Sequence, residues 1–243
     1  YEVNDDGDVY TFELREGIKF SDGTPFTAET VKWSVERVIN LGGDPSWLVT
    51  SFVDSVEVVD TYTVRFNLSG SVGFFPDVVA TVPYFPVNPN SFPEDQWVND
   101  PSELKDGVLS GLGPYKITSF KRDEEIVLEK NAEYYGEEPA IDQVVIRYYA
   151  DATTMRLALQ NREVDLVYKE LNPSDKLDLI ENSDYESYEI PSSQIRYLCF
   201  ETSESMFQDP KARQAIAALV DRQDIIDKVF LGQMEPLYSM IPM

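Results

Sequence analysis

Strict alternation of apolar and polar residues marks strands in the first part of the chain. Residues 10–14 alternate in this way and predict a half-buried strand. Residues 62–68 follow the same rule, with Val64, Phe66 and Leu68 on the face that would be buried. Further strands are predicted at 55–59, 115–120, 125–130, 143–149 and 164–168, and a mostly apolar one at 193–201.

Helical spacing replaces this alternation directly after a polar Asp-Gly-Thr-Pro turn. Thr27 is a good N-cap residue, and Phe26 and Val31 occupy the two positions of a hydrophobic staple. Together they predict a helix over 28–40 that ends at Gly42. Cap residues before helical spacing predict four more helices, which begin after Asp151, Asn172, Asp209 and Asp221. The last of them is predicted to run to Leu231 and to end at Gly232.

The order of these elements indicates the fold class. Hairpins come first and β–α–β alternation follows, which predicts a mixed α+β and α/β fold. Residues 70–107 are rich in Pro, Gly and Asn and carry isolated aromatic residues, so they predict long loops with short helices. A loop of this length in a compact domain is often functional.

The charge of the chain limits the classes of partner that it can bind. Forty-four acidic and 20 basic residues give a formal net charge of −24. A phosphate backbone would be repelled, so we expect no nucleic-acid binding and no docking on anionic lipid by charge alone. The acids are spread along the chain, which is typical of a solvated surface, as in a saline habitat; attraction of cationic ligands is the alternative.

Residue types needed for common catalytic and metal sites are missing. The chain has no histidine and one cysteine, Cys199. Ser-His-Asp and Cys-His catalysis, His-ligated zinc and thiolate metal clusters are therefore excluded within this chain. Gly111-x-Gly113 lacks the third glycine of a dinucleotide site, and adjacent carboxylates lie in predicted turns. We predict no catalytic residue, no metal site and no cofactor.

Six segments carry a resemblance when they are taken together and in order. They are YTFELREGIKFSDGTPFTAETV at 10–31, VEVVDTYTVRFNL at 56–68, GLGPYK at 111–116, NAEYYG at 131–136, DATTMRLALQNREVD at 151–165 and FQDPKARQAIAALVDRQDII at 207–226. They resemble the family 5 extracellular solute-binding proteins, which include the dipeptide-, oligopeptide- and nickel-binding receptors of ABC importers. Leu112 stands where that family usually has Thr, and Arg162 where glycine is common.

The resemblance implies a periplasmic-binding-protein-like fold of type II, cluster C, present here as an incomplete clamshell. It implies an accessory α+β domain at 1–110, a partial mixed-sheet main lobe at 111–203 and the start of the other main lobe at 204–243. It also implies a longer protein with a secretion signal, so that most specificity residues would lie outside these 243 residues.

The resemblance further implies capture of a solute by hinge closure and its delivery to an ABC permease in the membrane. The expected protein is extracytoplasmic and monomeric. The expected contact or hinge segment contains Arg196, Tyr197, Cys199 and Glu201, the last predicted strand before the crossover. Leu198 and Phe200 are expected to be core residues, and Cys199 a small buried residue rather than a reactive thiol.

Alternatives remain for the contact residues, for the cargo and for the role of the protein. Tyr84 and Phe85 are weaker contact candidates, since aromatic residues on a loop equally serve to hold the loop in place. The favoured cargo is a peptide; a sugar or a metal chelate is an alternative on the same scaffold. A sensor or interaction module without transport is the third hypothesis.

Overall fold

The computed structural model describes residues 1–104, 109–190 and 194–240, which form two compact units, Tyr1–Tyr148 and Tyr149–Met243. The strands are β1 (Glu2–Val3), β2 (Val9–Glu13), β3 (Val53–Asp60), β4 (Thr63–Leu68), β5 (Tyr115–Lys121), β6 (Glu125–Lys130) and β7 (Gln143–Arg147). The helices are α1 (Ala28–Leu41), α2 (Trp47–Thr50), α3 (Phe75–Val79), α4 (Ala152–Gln160), α5 (Pro173–Glu181), α6 (Ser205–Gln208), α7 (Pro210–Leu219) and α8 (Arg222–Lys228). Short 3-10 turns lie at Val82–Tyr84 and Pro101–Glu103.

The first unit is built on an antiparallel sheet of strand order β1-β2-β4-β3. As predicted, Val64, Phe66 and Leu68 all face inward and are buried. Helix α1 packs against β3 and β4 on this side of the sheet. The alternation in the sequence therefore fixes which face of the sheet the helix covers.

Aromatic rings fill the centre of this core. Phe75 is fully buried, and its ring centroid lies 5.1 Å from that of Tyr10, 5.5 Å from that of Phe66 and 6.0 Å from that of Tyr84. The Tyr84 hydroxyl donates to the backbone oxygen of Leu48 (3.0 Å). A buried tyrosine needs such a partner, so this ring belongs to the core rather than to a solvent-exposed loop.

Helix α1 begins directly after Thr27 and ends before Gly42, as predicted, and its buried face holds the long loop that follows α3. The Ser34 hydroxyl accepts from the Val87 N–H (3.0 Å). One turn later, Arg37 is only 5% exposed and donates to the backbone oxygens of Pro93 (2.6 Å) and Gln96 (2.5 Å). Its guanidinium also lies over the rings of Trp33, Phe92 and Trp97.

The polar turn before α1 forms a second anchor for that loop. Asp22 accepts from the side-chain amide of Asn88 (2.7 Å), which is fully buried, and from the backbone N–H of Thr24 (2.9 Å). The Asp22 N–H donates to the Ser110 hydroxyl (3.2 Å), and the Ser21 N–H to the Gly111 oxygen (2.9 Å). The turn therefore ties the long loop and the start of the next sheet to one point.

Replacing Asp22 by alanine is expected to lower the free energy of unfolding of the first unit by about 2 kcal/mol, because the buried Asn88 amide loses its acceptor. Burial raises the pKa of Asp22, but hydrogen bonds from Thr24, Ser110 and Asn88 outweigh it and hold the pKa below its usual value. This stabilisation is present above the ordinary carboxyl pKa and is lost as the pH falls through the lower folded value.

Urea unfolding at pH 7 and at acid pH checks this prediction. Asp22→Asn keeps one acceptor oxygen and is the matched control. We expect it to lose less unfolding free energy at pH 7 than Asp22→Ala does. We also expect its stability to change less at acid pH than that of the unchanged chain. Equal stability of Asp22→Ala and the unchanged chain at pH 7 would contradict the role of this carboxylate.

A second antiparallel sheet, β5-β6-β7, completes the first unit. Asn131 is buried at its end and donates from its side chain to the Gly113 oxygen (2.8 Å), while its N–H donates to the Pro114 oxygen (2.9 Å). Lys19 and Glu133 add an ion pair (3.4 Å). The GLGP and NAEYYG segments of the sequence thus meet in space and fix the crossover into this sheet.

The second unit is helical in its described part. Helix α4 is capped by Asp151, whose carboxylate accepts from the Thr154 N–H (2.8 Å), and Arg156 of α4 pairs with Asp175 and Asp178 of α5. Helices α5 and α7 begin where the sequence predicts, after Asn172 and Asp209. Helix α8 ends at Lys228, three residues earlier than predicted.

Two predicted strands are not formed. Residues 164–168 and the described part of 193–201 lack strand pairing. A strand requires a hydrogen-bonded neighbour, and the described part of the second unit contains no other strand to supply one. The prediction of strands at these two places is therefore wrong for this chain.

The predicted domain boundaries near 110 and 203 concern a complete protein and stay a prediction. In this chain the division between compact units falls at Tyr148–Tyr149. The β5-β6-β7 sheet is thus grouped with the residues that precede it.

Candidate functional site

The candidate segment at 194–201 forms neither a helix nor a strand and is largely exposed. Tyr197 is 60% exposed and Leu198 67%. The residues carry aromatic, aliphatic and charged side chains on a backbone without a ladder partner. Such a backbone presents N–H and C=O groups to which another extended chain can pair.

Contacts at the two ends hold this segment. The Arg196 guanidinium lies 5.5 Å from the ring centroid of Phe230, which follows α8. At the other end, the Phe200 ring packs against Phe207 of α6 at 5.4 Å. Both contacts are within the second unit and leave Tyr197 and Cys199 exposed.

Glu201 ends the segment with a local turn. Its carboxylate accepts from the Ser203 N–H (2.9 Å), and this hydrogen bond lowers the pKa of Glu201. The side chain is exposed and stays ionised at neutral pH. It therefore offers a fixed negative charge to a cationic group, such as the amino terminus of a peptide.

Three expectations for this segment are corrected. Cys199 is exposed rather than buried, Leu198 is exposed rather than part of the core, and Phe200 is half-buried. The physical reason is the missing strand pairing: without neighbouring strands in the described part of this unit, a mostly apolar segment has no sheet in which to be buried.

The two loop candidates lie in the first unit and differ from each other. Tyr84 is buried with its hydroxyl bonded to Leu48, and burial raises its pKa. This placement fits the alternative interpretation, in which the ring holds the loop in place. Phe85 is 54% exposed.

The segments that carry the sequence resemblance mainly organise the fold. Asp22, Gly113, Asn131 and Asp151 make the turn, crossover and cap contacts described above. In the last segment, Arg213 donates to the backbone oxygens of Phe207 and Gln208, at the end of α6. Because these residues make structural contacts, the motifs that contain them need no reactive group.

Two absences hold for the described residues. Among them, no group of three or more His, Cys, Asp and Glu side chains is arranged to hold a metal ion. In the same part of the chain, no helix combines the length and apolar character needed to span a membrane.

Comparison with known proteins identifies the class and then the family. Solved structures of periplasmic binding proteins share this mixed fold of two sheets and flanking helices; NikA from Brucella suis in complex with Fe(III)-EDTA matches with a TM-score of 0.81 and 29% identity, over 99% of this chain and 48% of that one. The model of the bacterial extracellular solute-binding proteins, family 5, middle part, matches residues 1–243. The chain belongs to this family.

Two curated relatives from Escherichia coli (strain K12) are 27% identical to this chain. One is named a probable D,D-dipeptide-binding periplasmic protein, DdpA, and the other the glutathione-binding protein GsiB. Both matches cover the whole of this chain and 46% of the relative. The chain thus spans about half the length of the curated relatives that it matches.

Proposed function

We propose that this chain is part of the substrate-binding component of an ABC importer, which captures peptides outside the cytoplasmic membrane. The family match over residues 1–243 carries the proposal. Relatives named for binding a dipeptide and glutathione support a peptide cargo. In this proposal the protein encloses its ligand and hands it unchanged to a permease, as a monomer and without enzymatic activity.

The segment at 194–201 supports main-chain recognition of a peptide. Within the described residues it belongs to no strand ladder, so its backbone can bond to a peptide backbone regardless of the peptide's side chains. Tyr197 and Glu201 would lie beside the bound chain, one as an apolar wall and the other as a partner for a positive group. In a protein twice this length, further strands would also pair with this segment and enclose the ligand.

The proposed organisation follows the same reasoning. Residues 1–110 would form the accessory domain, 111–203 part of one ligand-binding lobe and 204–243 the start of the other. Most groups that select the ligand would then lie outside this chain.

Peptide titration of a full-length protein that carries this sequence tests the contact segment. We expect Tyr197→Ala to weaken binding about tenfold, as for a buried aromatic anchor. Tyr188→Ala is the matched control, because Tyr188 is another exposed tyrosine of the same unit (83%, against 60% for Tyr197) and lies outside the segment. Equal effects of the two substitutions would refute the assignment of Tyr197.

A metal chelate is the second candidate cargo. The NikA structure, 29% identical to this chain, holds Fe(III)-EDTA. Titration of Fe(III)-EDTA into the same full-length protein distinguishes the two cargoes. If the cargo is a peptide, we expect no saturable binding of the chelate. Saturable binding of the chelate and of no peptide would make the chelate the proposed cargo instead.

A further inference from the structure

A group of exposed apolar side chains lies on the first unit, and only one of them, Phe85, was named above as a weaker contact candidate. Trp47 is 56% exposed, Phe74 57%, Val82 69% and Phe85 54%. We call these four residues the apolar patch. Single exposed apolar residues are ordinary, whereas several large ones on adjoining segments are typical of an interaction surface.

Contacts beneath the patch bring its segments together. Helix α2, which carries Trp47, packs on the turn Val82–Tyr84, and the Tyr84 hydroxyl bonds to Leu48. Phe74 packs on Phe52, directly after α2, with ring centroids 5.8 Å apart. The exposed side chains therefore stand on a support of buried neighbours, which keeps them in place before a partner arrives.

The stretch of sequence that contains the patch is predominantly acidic. Between Arg37 and Lys105 the sequence has nine acidic residues and a single basic one, Arg65. Arg65 is already paired with Glu57 (3.1 Å) on the sheet. Asp44 and Asp77 are exposed three residues from Trp47 and Phe74 respectively. Any surface that covers the patch must therefore approach a negative field.

This negative charge determines which kind of partner can cover the apolar patch. An anionic lipid surface would be repelled, and a second copy of a chain with a net charge of −24 would be repelled as well. A basic surface would be attracted and correctly oriented. We propose that the apolar patch is a docking site for a protein whose contact surface is basic and carries apolar side chains. This inference does not depend on which solute the protein binds.

The test uses the 243-residue chain and a synthetic amphipathic helix of Lys and Leu as probe, with the corresponding Glu and Leu helix as the negative probe. Isothermal titration is expected to show that Trp47→Ser with Phe85→Ser weakens binding of the Lys–Leu helix about tenfold or more. Val3→Ser with Val59→Ser removes two other exposed apolar side chains of the same unit and is expected to leave binding unchanged. Asp44→Lys with Asp77→Lys leaves the apolar side chains intact and is expected to weaken binding through charge alone.

Other outcomes would overturn the inference. Equal weakening by the two serine pairs would show diffuse attraction to the acidic chain rather than a patch. Binding of zwitterionic vesicles that depends on Trp47 and Phe85 would show a lipid surface, and a dimer abolished by the same pair in sedimentation would show self-association. Tyr197→Ala is expected to leave binding of the Lys–Leu helix unchanged. The docking proposal and the solute-binding proposal can therefore be refuted independently of each other.

Discussion

Phe75→Ala is expected to lower the free energy of unfolding of the first unit by about 3–5 kcal/mol, the usual loss for a fully buried phenylalanine. The ring lies among Tyr10, Phe66 and Tyr84 at centroid distances of 5.1 to 6.0 Å. Removing it leaves a cavity that the sheet and the long loop can fill only in part. Urea unfolding followed by tryptophan fluorescence measures the loss, because all three tryptophans belong to this unit.

The neighbouring residue supplies the matched control. Phe74 carries the same side chain but is 57% exposed. Its replacement by alanine is expected to change the stability by less than about 1 kcal/mol. If Phe74→Ala and Phe75→Ala were equally destabilising, the placement of the aromatic core would be wrong.

Arg37→Ala is expected to lower the stability of the same unit by about 3 kcal/mol. The substitution leaves the carbonyl oxygens of Pro93 and Gln96 without their charged donor and removes the cation from three aromatic faces. Burial lowers the pKa of Arg37, yet an arginine keeps its charge at any pH of interest. We therefore expect this loss to be the same at pH 6 and pH 9.

Lys32 is the control on the same helix. It is half-buried and paired with the exposed Glu36 one turn away (3.8 Å), so Lys32→Ala should change the stability by less than about 0.5 kcal/mol. Hydrogen exchange adds a second measurement: residues 88–97 should exchange faster in Arg37→Ala than in Lys32→Ala. Unchanged exchange there would show that Arg37 does not hold the loop.

Local patterns predicted most elements of the first unit because its strands pair with one another and its helices pack on them within the chain. Alternation located β2, β3 and β4, and the Thr27 cap located the start of α1. The long loop was predicted as a loop, but its anchors were not. The contacts of Arg37 and Asp22 join residues more than 50 positions apart, and no local pattern reports such pairs.

The sequence pattern failed where an element needs a partner that the described chain does not supply. Residues 193–201 are mostly apolar, as in a buried strand, but strand formation depends on a neighbour. The same failure reversed the expected burial of Leu198 and Cys199. Conversely, Tyr84 could not be distinguished from an exposed loop residue, because an isolated aromatic in a Pro-rich segment carries no periodic signal.

These observations separate two roles of the sequence. The segments that carry the family resemblance build turns, caps and crossovers of the fold described above. In our proposal, ligand choice depends on exposed positions such as Tyr197 and Glu201, which no motif marks. A receptor family can therefore keep one scaffold while its members take different cargoes.

A calorimetric comparison of the full-length protein and residues 1–243, titrated with the same set of di- and oligopeptides, tests the central claim most directly. We predict saturable one-to-one binding by the full-length protein, weak or no binding by the shorter chain, and recovery of every peptide intact. Failure of the full-length protein to bind any peptide, or conversion of a peptide into product, would contradict a role in passive peptide capture.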